Sequence, residues 1–159
     1  MTFDQLRRSR GGESGSALIE LAVSLPILVL ILVATIDFAR VFYMGIELTN
    51  AARAGAQYGA SSVGRSADSP GMQTAAQNSG NVPGIAASAS RLCQCADNSA
   101  VFSATSPANT CTGTCTSGSH LVVTVTVTTS KTFTTVFTGF PGLPSSVSLA
   151  RSATLRVVN

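Results

Sequence analysis

Apolar residues are unevenly spread along the chain. The densest run is Ala17 to Ile36, ALIELAVSLPILVLILVATI, in which Glu20 is the one charged residue. At about 1.5 Å per residue, a helix of this length crosses the roughly 30 Å hydrocarbon core of a bilayer. Pro26 removes one helical N–H, which membrane helices tolerate. The helical pattern does not end at Arg40: Phe38, Val41, Phe42, Gly45, Leu48, Ala52, Gly55, Ala56 and Gly59 recur at spacings of three and four, which defines one face. On that face Ala52 and Ala56, and Gly55 and Gly59, are small-xxx-small pairs that let another backbone approach closely. Gly, Ser and Pro between Gly59 and Gly71 stop the helix. The pattern predicts one helix of about 40 residues, its first half facing lipid and its second packed on a small domain. A break near Gly45 is the alternative, although a glycine inside a helix costs only about 1 kcal/mol.

Downstream the period changes from helical to alternating. Residues 61–71 read as a loop, Met72–Asn78 as a short helix, and Gly80–Gly84 as a turn. Ile85 to Cys95 alternates partially. Leu121–Thr129 places Val123, Val125 and Val127 on one side and Thr124, Thr126 and Thr128 on the other, the mark of a half-buried antiparallel strand. Phe133, Val136 and Phe137 precede a Gly- and Pro-rich turn at 139–144. The last run puts Val147, Leu149, Ala153, Leu155 and Val157 on one face. The expected fold is α+β: a long N-terminal transmembrane helix running into a small antiparallel sheet of about three or four strands. The corresponding segments are a leader (1–15), a transmembrane helix (16–36), a continuing amphipathic helix (37–60) and an external β domain (61–159).

Composition sharpens this picture. Charged residues make up 11% of the chain, against about 25% in an ordinary soluble domain. A net charge of +3 is too small and too scattered for nucleic-acid binding. Arg7, Arg8 and Arg10 precede the apolar run, while the residues just after it carry balanced charge; by the positive-inside rule the N-terminus is cytoplasmic and the rest external. A cleavable secretory signal fits poorly, because its core is shorter, lacks an acid and ends at a small-x-small site.

The four cysteines, Cys93, Cys95, Cys111 and Cys115, then lie in an oxidising compartment, where two disulfides are the natural reading. A simple hairpin would nest Cys95 with Cys111 and Cys93 with Cys115, yet three connectivities are possible and the sequence does not choose. A zinc site is disfavoured by the one-residue gap between Cys93 and Cys95. No nucleophile, base and orienter occur together. His120 reads as a turn histidine, and Asp37 with Arg40 as a solvated i,i+3 pair. The expectation is therefore no enzyme, no metal, no cofactor and no small-molecule substrate.

Glu20 is the residue that does not fit a plain anchor. An ionised carboxylate in a membrane costs roughly 3 kcal/mol or more, so it calls for a positive partner. Its context, Gly15-Ser16-Ala17-Leu18-Ile19-Glu20, resembles the processing site of type IV pilins. With Leu25-Pro26, Ile36-Asp37-Phe38-Ala39-Arg40 and Leu48-Thr49-Asn50-Ala51-Ala52-Arg53-Ala54-Gly55-Ala56, residues 15–58 resemble the TadE/TadF-like proteins of the Flp (tight adherence) pilus system. Cys93-Gln94-Cys95, the valine–threonine strand and Gly142-Leu143-Pro144 extend the resemblance. It implies a minor pilin or pseudopilin of the bacterial inner membrane, cut by a prepilin peptidase between Gly15 and Ser16. Glu20 would then pair with the new amine of a neighbouring pilin subunit during assembly. The chain departs from major Flp pilins in its length and in having Leu21 where they carry Tyr. The alternative is an uncleaved, single-pass anchored binding domain with no role in pili.

Overall fold

The computed structural model describes residues 13–97, 101–104, 111, 115, 118–136 and 145–157. The element order is α1 (Glu13–Ala60), α2 (Val63–Ser66), α3 (Ser69–Asn78), β1 (Ala86–Cys95), β2 (Val101–Ala104), β3 (Leu121–Thr134) and β4 (Ser146–Arg156). The architecture is α+β, with one long apolar N-terminal helix followed by an antiparallel sheet in the order β2-β1-β3-β4. The chain divides after Arg40 into a helix unit and a sheet unit that starts at Val41.

In the helix unit, the side chains from Leu18 to Ile36 are largely exposed, and the helix is long and apolar enough to cross a membrane. Two of its hydroxyls are satisfied locally. Ser24 donates to the Leu21 carbonyl at 3.2 Å and Thr35 to that of Leu32 at 2.7 Å, so neither needs water. Pro26 lies inside α1, which continues through it. It also continues through Gly45, and the expected alternative break there is absent. Arg40 and Asp37 pair at 3.3 Å near the end of this unit.

In the sheet unit, Gly45, Leu48, Ala51, Ala52, Gly55, Ala56, Gly59 and Ala60 form the buried stripe of α1. The small residues on it have a specific use. A Cβ on Gly55 would lie 2.6 Å from the Met72 carbonyl oxygen and 3.1 Å from Val127 Cγ1, and one on Gly59 would collide with the Met72 thioether. The backbone that approaches this stripe is thus α3 of the same chain, with β3 beside it. Phe38 and Phe42, assigned by spacing to this face, are exposed instead. Phe38 belongs to the helix unit and precedes the sheet unit, which begins at Val41.

The sheet buries one side. Ala89, Arg91 and Cys93 of β1 stand opposite Val127, Val125 and Val123 of β3, and Val125 and Val127 stand opposite Leu155 and Ala153 of β4. Alternation sends the hydroxyl residues to the other side: Ser88 faces Thr128, Ser90 faces Thr126, and Thr126 and Thr154 share a hydrogen bond at 2.8 Å. One hydroxyl faces inward: buried Thr129 donates to the Leu48 carbonyl at 2.8 Å, tying β3 to α1. The predicted loop at 61–71 contains α2 and the start of α3. Ser62 and Asp68 cap these helices by accepting from Arg65 N–H and Gly71 N–H, and Pro70 sits in the first turn, where its missing N–H costs nothing. β2 lies in a Ser- and Asn-rich stretch and was not expected. The expected apolar end of that region at Phe137, the turn at 139–144, and most of the leader lie outside the described residues.

Asp68 also locks α3 to the end of α1. The Tyr58 hydroxyl donates to Asp68 Oδ2 at 2.9 Å, and the Arg65 guanidinium lies 5.2 Å from the Tyr58 ring centre. The Gly71 N–H, then the Tyr58 hydroxyl, hold the Asp68 carboxyl below its ordinary pKa. The bond to Asp68 in turn raises that of Tyr58.

Two predictions follow from this packing. Gly55→Ala costs about 1–3 kcal/mol, because backbone at Met72 must move. Gly64→Ala, with open space around it, is neutral or gains up to about 1 kcal/mol. Denaturant melts of the full chain in detergent, followed by circular dichroism, separate the two, and equal midpoints would contradict the close approach. The Tyr58–Asp68 bond gives a stability plateau. The Asp68 contribution is present above the ordinary value of 3.8 and is lost as pH falls through its lowered pKa; that of Tyr58 is present below 10.0 and is lost as pH rises through its raised one. The stability difference between wild type and Asp68→Asn should therefore be flat at neutral pH and shrink in acid.

Candidate functional site

The residues singled out by sequence fall into two groups, one in each unit. Gly15, Ser16 and Glu20 belong to the helix unit. Gly15 and Ser16 are exposed in the first turn of α1, with nothing within 4 Å of a Cβ on Gly15. Glu20 is four residues from Ser16, about one turn along the same helix. It is exposed among Leu18, Ile19, Leu21 and Val23, which are exposed as well. One turn to either side of it on α1 stand Ser16, Ala17, Val23 and Ser24, none of which carries a charge.

The cysteines belong to the sheet unit. Cys93 and Cys95 are fully buried at the end of β1 and point to the same side, two residues apart. The disulfides are Cys93–Cys111 and Cys95–Cys115, with Cα–Cα distances of 5.8 and 5.7 Å. This corrects the nested pairing that a simple hairpin predicts. β2 is the reason. It pairs with β1 in antiparallel fashion, so that Val101 faces Gln94 and Ala104 faces Arg91. The chain then has to return to Leu121, which faces Cys95. Cys111 and Cys115 both follow β2 in sequence, and the earlier cysteine of β1 meets the earlier of the two. Missing β2 in the sequence therefore reversed the expected order. Among the described residues no cysteine is free and no group of three or more His, Cys, Asp or Glu is placed to hold a metal ion.

His120 precedes β3 and its Nε2 lies 3.1 Å from Arg156 Nη2. It pairs with the end of β4 and closes the sheet near the disulfides. Ala96 N–H donates to the His120 carbonyl at 2.9 Å, which holds the strand end that carries Cys95. The two disulfides staple a Ser-, Thr- and Asn-rich segment with little apolar content of its own onto this end. Closing loops of this size is worth roughly 3 kcal/mol each. Peptide mapping without reductant should recover Cys93 linked to Cys111 and Cys95 linked to Cys115, with no thiol labelled. Recovery of Cys95 linked to Cys111 would contradict the role of β2.

Residues 15–57 match the protein-family model described as TadE-like protein. The match starts at Gly15, takes in Glu20 and the whole apolar run, and ends on the buried stripe of α1, before any strand. No curated relative and no solved structure matches the chain. Residues 15–57 of this chain are thus similar to the TadE-like family.

Proposed function

We propose that the chain is a membrane-anchored minor pilin or pseudopilin of an Flp-type pilus system. The observation that carries the reading is the TadE-like segment itself, an exposed apolar helix from Gly15 onward whose carboxylate, Glu20, sits one turn inside it. In this reading the N-terminus is cytoplasmic, α1 crosses the inner membrane, and the sheet unit is external, where an oxidising compartment suits the Cys93–Cys111 and Cys95–Cys115 bridges.

The proposed chemistry is simple. A prepilin peptidase hydrolyses the Gly15–Ser16 peptide bond, which leaves a carboxylate on Gly15 and a protonated amine on Ser16. That amine is the positive partner that Glu20 of a neighbouring subunit needs in a low-dielectric setting. Because the bond lies in the first turn of α1, where helix ends fray easily, the peptidase can draw it out without unfolding the apolar run. Glu20 then selects for correctly processed neighbours, since an uncut chain places no charge at that point. The partners are other pilin subunits and the assembly machinery rather than a small molecule. The sheet unit supplies the outward surface, and its Ser/Thr side is well solvated.

Co-expression with the cognate prepilin peptidase should leave Ser16 as the first residue of the mature chain, and Gly15→Leu should block this. An intact N-terminus beside an active peptidase would contradict the proposal and favour an uncleaved anchored domain. Glu20→Ala should leave membrane insertion intact while most piliation is lost; unchanged piliation would remove the proposed pairing.

A further inference from the structure

The exposed apolar side chains of the sheet unit are not scattered. The direction of the sheet relative to the outer half of α1 is fixed by three contacts within that unit. Val125 packs near Gly59, Val127 near Gly55, and Thr129 bonds to Leu48. Going along β3 is therefore going back along α1 toward Val41. β3 ends at Thr134 and β4 begins beside it, with Phe133 facing Val147. Leu149 and Met44 both pack against the cluster of Leu48, Ala51 and Ile85. The end at which β3 leads into β4 thus lies at the same end of the unit as Val41.

This end carries most of the exposed large apolar residues. Phe42 is 64% exposed, Tyr43 53%, Ile46 46%, Val136 56% and Val147 38%. Val63, just past the C-terminal end of α1, and Leu155, opposite Val125, are at the other end. Further along the outer side of α1 the residues turn polar, at Asn50, Arg53 and Gln57. Basic groups accompany the apolar end. The Arg151 guanidinium lies over Gly45, 3.4 Å from the position of a Cβ there, and the Lys131 ammonium donates to the Pro83 carbonyl. An acid is close by as well: Glu47 accepts from Asn81 N–H at 3.3 Å.

Exposed aromatic and aliphatic side chains flanked by arginine and lysine suit the boundary between headgroups and acyl chains. Chain continuity puts that boundary here, because Val41 directly follows the apolar half of α1. We propose that the Val41 end of the sheet unit is itself seated in the lipid–water interface. Phe42, Tyr43 and Ile46 of α1 and Val136 and Val147 of the β3–β4 pair enter it, and Arg151 reaches phosphate groups. The inference rests on the reading of α1 as a membrane anchor. It adds a second contact with lipid, made by strands distant in sequence from the span, which holds the sheet unit against the bilayer.

The chain contains no Trp, so single Trp variants each report one place. The full chain is reconstituted in phosphatidylcholine–phosphatidylglycerol vesicles, with nitroxide-labelled lipids and iodide as quenchers. Val136→Trp, Val147→Trp and Tyr43→Trp should be quenched by nitroxides near the headgroup and shielded from iodide. Val63→Trp should show the reverse, and Val29→Trp should be quenched by deep nitroxides. If the probes at 136 and 147 behave like the one at 63 while the one at 29 is quenched in depth, the interfacial seat is overturned and the anchor stands. Loss of deep quenching at 29 would overturn the anchor reading. Shielding at 136 and 147 without lipid quenching, growing with protein density, would assign this end to a second copy and overturn the proposal.

Discussion

Gly55 lies under the Met72 carbonyl, with Ala76 and Val127 crowding the same point. Almost everything in the sheet unit depends on that close approach. α1 can serve as the spine of a small sheet only because its buried stripe is made of Gly and Ala, with Leu48 as the large side chain among them. Burial of Leu48 gains roughly 1.5–3 kcal/mol, and the small residues let backbone and valine side chains come near enough for dispersion to add to it. A larger residue at 55 or 59 would lift α3 off the helix. The cost would reach Asp68, whose carboxylate caps α3 and accepts the Tyr58 hydroxyl at the same time.

The two units divide the work of the molecule. The helix unit leaves nearly all its apolar side chains exposed. The sheet unit hides a core of small aliphatic residues and turns a hydroxyl-rich side outward. Two disulfides replace the core that its Ser- and Thr-rich segment cannot build. The TadE-like match stops within α1. The matched part is thus the apolar run and the first part of the buried stripe, and no strand lies in it.

Much of this was legible in the sequence where one period runs long. The apolar run from Ala17 to Ile36, the Gly/Ala stripe to Gly59 and the Val–Thr alternation from Leu121 each repeat one spacing over several turns or residues, and each became the element expected. Short, locally determined features were harder. β2 is four residues long and depends on pairing with β1 rather than on its own pattern. Without it the return path of the chain, and so the order of the cysteine pairs, came out reversed. α2 and α3 rest on caps at Ser62 and Asp68 inside a stretch whose Gly, Ser and Pro read as loop. Phe38 and Phe42 fit the helical spacing but are exposed, because a period marks a face of the helix and not how far along that face the packing extends. Glu20 stands out by chemistry, as an acid in an apolar run, whereas Gly15 and Ser16 stand out by the resemblance of their context to a type IV pilin processing site.

That partner is the central claim, and zero-length cross-linking addresses it directly. A membrane-permeant carbodiimide activates the Glu20 carboxylate and joins it to an amine in contact, with loss of water. Applied to assembled subunits in the membrane, followed by peptide mass spectrometry, it should yield an amide between Glu20 of one chain and the Ser16 amine of another. Formation of other amine–carboxyl links in the same sample, with Glu20 joined to no Ser16 amine, would contradict the account.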